Sequence, residues 1–160
     1  MSKEKKVFSG EIRPAEASDI PAVLRMVSEL ADHHGDVATV TARELARDIL
    51  GPQPWVRILL ALHEDETIGY AALCPLAQMQ FGVRGMDLQH LYVIPEARQM
   101  GVGKALIKAS QRLAQHQGCR YLIVGTHPDN TLAQQIYPAL GFDEIDPPGP
   151  RFRIRFEAAV

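Results

Sequence analysis

A chain of 160 residues fits one domain on the usual scale of ~100–200 residues, and 46% hydrophobic residues supply a core without disulfide staples. Lys and Arg number 17 against 19 Asp and Glu, a formal net charge of −2, so the basic excess of a general nucleic-acid binder is missing. No segment approaches the ~20 apolar residues of a membrane span, and no apolar run of signal-peptide type follows the charged residues 1–6. The expectation is a cytoplasmic protein that binds neither nucleic acid nor membrane.

Residues 1–10 read as a polar tail, and no linker divides residues 11–160, which are expected to form one domain. Glu11 to Pro14 reads as a first strand. Ser18 or Asp19 can cap a helix to about Ala31, with Ile20, Val23, Leu24, Val27 and Leu30 as its inward stripe. The polar residues 32–36 form a loop. Thr41 and Glu44 match a capping box, and the helix they open stops at Gly51, before Pro52 and Pro54.

Residues 55–62 then read as an apolar strand, 63–67 as a hairpin turn, and 68–73 as the returning strand. Residues 78–85, with two glycines, suggest an irregular excursion, and 87–93 a central strand. Val102, Ala105, Leu106, Ala109 and Leu113 keep helical spacing, so 101–117 is a helix ended by Gly118. Tyr121 to Val124 is the most β-like run. Leu132, Ala133, Ile136 and Leu140 mark a last helix, ended by Gly141, and residues 152–156 alternate apolar and basic as a half-exposed strand does. Cys74 and Cys119 stand in or beside apolar runs, outside any metal-ligand spacing, and read as buried reduced thiols.

The element order is β-α-α-β-β-β-α-β-α-β, with the 152–156 strand last. It points to an α/β fold with a mixed sheet and helices on both faces. Strand 87–93, its helix and strand 121–124 form a βαβ unit, hence a parallel pair.

Residues 91–104 carry the chemistry: a strand enters a short loop that opens a helix, with Gly101 and Gly103 at the helix start. Amides of a first helical turn lack internal partners and suit a phosphate, and glycine lets the backbone come close to it. Arg98 and Lys104 add positive charge. A Walker loop would need Gly at 98 and Ser or Thr at 105, where Arg and Ala stand. A dinucleotide fingerprint starting at Gly101 would need Gly at 106, which is Leu.

What remains, Arg98-x-x-Gly101-x-Gly103 after Leu91-Tyr92-Val93-x-Pro95, resembles the acetyl-CoA signature of the GNAT acetyltransferase superfamily. Asn130, Ala133, Tyr137, Gly141 and Phe142 resemble the segment that follows it in that superfamily, and Ile12-Arg13-Pro14-Ala15 with Ser18-Asp19 resembles its opening. Together they span nearly the whole chain. The resemblance implies a central, mostly antiparallel sheet with one splayed parallel strand pair, and an enzyme that moves the acetyl group of acetyl-CoA to a primary amine of a small molecule. Protein or peptide amines, or a non-catalytic acyl-CoA sensor, are the alternatives.

The same resemblance implies that the main chain of Leu91, Tyr92 and Val93 meets the pantetheine arm, with the Val93 N–H polarising the thioester carbonyl. Arg98, Gln99, Met100, Gly101, Val102, Gly103 and Lys104 would hold the pyrophosphate, and Asn130 the arm. Tyr137 stands at the family's general-acid position, and its phenol is protonated at neutral pH. Where relatives carry an acidic base, this chain has Gln89, so Asp87 or a water held by Gln89 is expected to substitute. Strand alternation puts Asp87, Gln89, Leu91 and Val93 on one face and Leu88, His90 and Tyr92 on the other. His90 reads equally as a titrating group or as a satisfied sheet histidine.

His33, His34 and Asp36 lie in the loop that lines the acceptor site in this superfamily. A solvated loop and a pocket for a cationic amine are the two readings there. No metal is expected, since no second ligand cluster supports one. The exposed ends of the sheet suit a homodimer, although no residue establishes it.

Overall fold

The structure is a computed structural model and describes residues 8–158. The chain divides into two compact units after Gly125. The first holds β1 (Glu11–Pro14), α1 (Ile20–His33), α2 (Ala42–Leu50), β2 (Arg57–His63), β3 (Glu66–Gln78), β4 (Val83–Val93), α3 (Val102–His116) and β5 (Tyr121–Val124). Its five strands lie in the order β1-β2-β3-β4-β5, antiparallel except for the parallel β4–β5 pair. This is the mixed, mostly antiparallel sheet of the sequence reading. Among the described residues no helix is long and apolar enough to cross a membrane.

The helices cover opposite faces. Val23, Met26 and Leu30 of α1 pack on Ile58, Leu60, Leu62, Tyr70, Ala72 and Tyr92, with Leu45 and Ile49 of α2 at the margin. Val102 and Leu106 of α3 lie against the other face, under Gly69. Leu60, Leu73, Leu88 and Leu106 are fully buried, each contributing about 2 kcal/mol by leaving water.

Local signals hold with shifts in detail. Met26 joins the inward stripe of α1, while Leu24 and Val27 are only half-buried. Neither Ser18 nor Asp19 caps α1 through its side chain. Asp19 ends a 3₁₀ turn, Ala17–Asp19, where its carboxylate accepts from the Glu16 N–H at 2.7 Å and pairs with Arg13 at 2.7 Å. At α2, the Thr41 Oγ1 accepts from the Glu44 N–H at 3.2 Å as the capping box requires. The reciprocal bond differs: the Thr41 hydroxyl donates to the Glu44 carboxylate at 3.1 Å. Trp55 falls outside β2 and is exposed.

The β2–β3 connection is a two-residue turn, Glu64 and Asp65, both at positive φ (50° and 63°), the conformation whose twist matches a hairpin. Residues 78–85 are not an irregular excursion. β3 and β4 extend as one long hairpin around a 3₁₀ turn, Met79–Phe81, closed by Gly82 at φ 62°. Gly85 is a strand residue because the Tyr121 ring of β5 covers it, and a Cβ there would collide with that ring.

A bulge overturns the expected faces of β4. Ala72 pairs with His90 but Leu73 with Leu88, so Gln89 is an extra residue. Cross-strand partners share a face, and the slip reverses the parity of everything before it. Asp87, opposite Cys74, lies on the α1 face with His90 and Tyr92, whereas Leu88 joins Leu91 and Val93 on the α3 face.

The second unit contains α4 (Thr131–Ala139), capped by Asn130, whose side chain accepts from the Ala133 N–H at 3.1 Å. Gly141 at φ 96° and the Phe142 N–H on the Tyr137 carbonyl (3.1 Å) close its C-terminus. Residues 152–156 form no strand, and Phe152, Ile154 and Phe156 are exposed. An alternating pattern fits a strand only where a neighbouring strand receives it, and none does so here among the described residues.

Candidate active site

The end of β4 is an open edge. β5 pairs with Gly85 to Leu88 only, while β4 runs on to Val93. Ile94 turns its N–H toward β3, onto the Ile68 carbonyl at 2.9 Å. Successive amides of an extended chain point to opposite edges, so the Val93 N–H faces the unpaired one. The Val93 side chain sits on the α3 face, with its Cγ2 4.0 Å from where a Cβ on Gly103 would stand.

The loop after β4 is shaped by unusual backbone. Gln99 (φ 66°) and Gly101 (φ 83°) are both left-handed, a conformation that strains an ordinary side chain such as that of Gln99. α3 starts directly after Gly101 with no side-chain cap. The first amide to close inside the helix is that of Ala105, on the Gly101 carbonyl at 3.0 Å, so the amides of 102–104 have no acceptor within it. Such a run of free donors at a helix start suits an anion. Arg98 donates from Nε to the Val93 carbonyl at 3.1 Å, and its guanidinium lies 6.0 Å over the Tyr92 ring. Lys104 is exposed, and Met100 is half-buried.

On the α1 face the bulge gathers polar groups. Gln89 accepts from the Cys74 Sγ at 3.4 Å, next to Asp87. Burial raises the Asp87 carboxyl above the ordinary carboxylate range, and burial, with Asp87 beside it, raises the Cys74 thiol. The Tyr70 hydroxyl meets His90 Nδ1 at 3.1 Å. Burial lowers His90, and nearby His34 lowers it further. Tyr92 donates to Glu29 at 2.7 Å, and burial, with that carboxylate, pushes the phenol up to about 12.

Of the loop residues His33, His34 and Asp36, His34 is the one whose charge is felt at His90, and it is itself exposed. His33 is exposed with its ring centroid 5.7 Å from that of His34, and Asp36 stays exposed, its amide held by the Ala31 carbonyl. Among the described residues no three His, Cys, Asp or Glu side chains converge as metal ligands. Cys74 and Cys119 are free and half-buried, where full burial was expected. Sequence alone does not single out Tyr70 and Cys74 as site residues, because their partners come from the pairing of β3 with β4: His90 lies diagonally opposite Tyr70, and the bulge turns Asp87 to Cys74. A cleft of about 760 Å³, with Arg25, Glu29, Glu66, Tyr92, Glu96 and Met100 in its walls, opens beside the loop after β4 and takes in the Tyr92–Glu29 pair.

In the second unit, the Asn130 Oδ1 is taken up in capping, which leaves its NH₂ group for other bonds. Tyr137 is half-buried and packs edge-on to Phe142, ring centroids 5.6 Å apart, and burial raises its phenol. Pro138 occupies the last turn of α4, where only one amide bond is lost.

Residues 25–142 match the model of the acetyltransferase (GNAT) family. Over 143 residues the chain is 30% identical to an aminoglycoside N(6')-acetyltransferase type 1 of Klebsiella aerogenes, covering 84% of this chain and 90% of that protein. It is 29% identical over 144 residues to a thialysine N-epsilon-acetyltransferase of Bos taurus, covering 84% of each. An aminoglycoside N-acetyltransferase solved in complex with CoA superposes with a TM-score of 0.69 at 26% identity, over 91% of this chain and 99% of that one. The chain belongs to the GNAT acetyltransferase family and is an acyltransferase with acetyl-CoA as its co-substrate.

Proposed function

We propose that the enzyme acetylates a primary amine of a small molecule, polyamine-like or amino-sugar-like, by direct attack on acetyl-CoA in a ternary complex. Two named relatives, an aminoglycoside and a thialysine acetyltransferase, support an amine acceptor. The observation that carries the reading is the far half of β4. It has an open backbone edge on one side, and Gln89 and His90 at its start, next to Asp87 on the α1 face. The family match, residues 25–142, crosses the division after Gly125, which supports residues 11–160 acting as one acetyltransferase domain; of the tail expected at 1–10, residues 1–7 lie outside the described residues.

In this reading the amides of 99–104 with Arg98 and Lys104 take the pyrophosphate, while the main chain of 91–93 and the Asn130 amide take the pantetheine arm. The thioester is what acetyl-CoA supplies. Asp87, raised by burial, takes the proton of the arriving ammonium, and the free amine attacks the acetyl carbonyl. The Val93 N–H donates to the oxygen as charge develops on it. As the C–S bond breaks, Tyr137 gives its proton to the departing thiolate, and the extra proton on the attacking nitrogen is released to solvent, from which Tyr137 is reprotonated.

Thiol release from acetyl-CoA is the test, with an aminoglycoside carrying a 6′-amine, thialysine, a polyamine and a peptide α-amine as acceptors. Release with the first at low acceptor concentration is expected. Preference for the peptide would replace the small-molecule reading. Tight acetyl-CoA binding without release for any amine would replace catalysis by sensing.

A further inference from the structure

The Tyr70–His90 pair lies outside the proton path just described. Tyr70 is fully buried in the middle of β3, and His90 Nδ1 is the partner its hydroxyl has among the described residues. A buried phenol O–H without an acceptor is strongly disfavoured, so Tyr70 must donate and Nδ1 must accept. An imidazole that accepts at Nδ1 and is neutral carries its proton on Nε2. Protonation of Nδ1 would turn Tyr70 into an acceptor and strand its own O–H in the core. Burial and His34 oppose it as well. Asp87 and Cys74, the other titratable groups of this face near the bulge, make no hydrogen bond to His90.

His90 is thus held as a neutral donor, half-buried, with its Nε2–H unbonded among the described residues. A lone pair at Nε2 would accept from an ammonium, and a protonated ring would repel one. A neutral N–H does neither and calls for an oxygen. We propose that His90, locked in the Nε2–H form by Tyr70, recognises a hydroxyl or ether oxygen of the acceptor and so selects oxygen-bearing amines over plain alkyl amines. This rests on the amine-acetyltransferase reading above and names its substrate class. Tyr70 is the positioning residue, and His90 the one that touches the acceptor.

The probes are 1,3-diamino-2-propanol and 1,3-diaminopropane, equal in length and amine count and different by one hydroxyl. A site built to bond a hydroxyl discriminates strongly against the analogue lacking it. We expect at least ~10-fold higher kcat/KM for the hydroxylated amine, carried mainly by KM. His90→Phe abolishes the preference, His90→Gln, which keeps an N–H donor, restores part of it, and Tyr70→Phe reduces it while acetyl-CoA binding stays intact. Nitrogen-15 NMR of the labelled enzyme is expected to show a bare Nδ1 and a protonated Nε2, with the Nε2 signal moved by the diaminopropanol and not by the diamine. The reverse tautomer, equal response to both amines, or no response overturns the proposal. A selective Nε2 response with no thiol release would instead overturn the acetyl-transfer reading and leave the recognition role standing. An equal loss of kcat for both amines in His90→Phe would assign the bond to the acetyl carbonyl and also overturn it.

Discussion

Two aspartates of the first unit are displaced in opposite directions. Asp19, at the entrance to α1, is held below its ordinary value by the hydrogen bonds from Arg13, at 2.7 and 3.1 Å, and by the Glu16 amide. Asp87, beside the β4 bulge, is raised by burial and has no hydrogen-bonded partner among the described residues. Both are shielded from water, but only the first has its charge answered. An answered carboxylate ties β1 to the start of α1. An unanswered one is a proton acceptor waiting for a cation, kept at some loss of stability, as functional groups commonly are.

Asp87→Asn breaks that comparison hardest. With the base removed, kcat/KM should fall ~10²–10³-fold at neutral pH, within the range of general base catalysis. The folded protein should become more stable. Because folding raises the Asp87 value, its favourable contribution is present below the unfolded value near 3.9 and lost as pH rises through the folded one. The melting-temperature gain of the variant should therefore grow with pH. Unchanged activity with a lower melting temperature would make Asp87 a structural residue like Asp19.

Tyr137→Phe comes next and tests the other end of the proton path. The ring stays against Phe142 and only the hydroxyl is lost. We expect kcat to fall ~10²-fold with acetyl-CoA affinity preserved. Burial keeps the phenol protonated across neutral pH, so wild-type activity should show no loss from its ionisation there. Full activity with every amine would leave water or the substrate ammonium as the acid.

Asp19→Asn sharpens the comparison from the structural side. It should cost about 2 kcal/mol, the scale of hydrogen bonds to a charged group, with kcat/KM unchanged in the molecules that remain folded. Folding lowers the Asp19 value, so its contribution is present above the unfolded value near 3.9 and is lost as pH falls through the folded one. Urea midpoints of wild type and variant should converge in acid. A gap that persists at the lowest pH would show that the carboxylate charge is not what matters.

The smallest effect is expected at Gly103, where fold and ligand separate. Its backbone is not left-handed, and a Cβ would meet only Val93 Cγ2, at 4.0 Å. Gly103→Ala should therefore fold and bind acetyl-CoA nearly as wild type does. Gly103→Val should fold as well but lose about tenfold in affinity by calorimetry, because its branches fill the approach to the helix amides. Equal affinity in both variants would show that no phosphate comes near this turn.

Much of this molecule was legible in local sequence. Helical spacing marked α1 and α3, Thr41 and Glu44 marked the start of α2, and Gly118, at φ 77°, marked the end of α3. The Arg98, Gly101 and Gly103 pattern located the loop whose left-handed backbone the structure displays. These features depend on a few neighbouring residues and on the chain's own hydrogen bonds, so composition and spacing reveal them.

What the sequence misjudged depends on partners distant in the chain. The glycines at 82 and 85 looked like breakers, yet Gly85 is a strand residue because a ring from β5 rests on it. Residues 152–156 alternate as a strand does but meet no partner among the described residues. Strict alternation put Asp87 with Leu91, and the extra residue at Gln89 put it with His90 instead. The sequence by itself determined α1 to α4, the central parts of β1 to β5 and the loop at 98–103. Only the tertiary structure decided which face of β4 carries the polar groups, because a one-residue slip against β3 leaves every local preference satisfied while it turns the preceding side chains to the other side of the sheet.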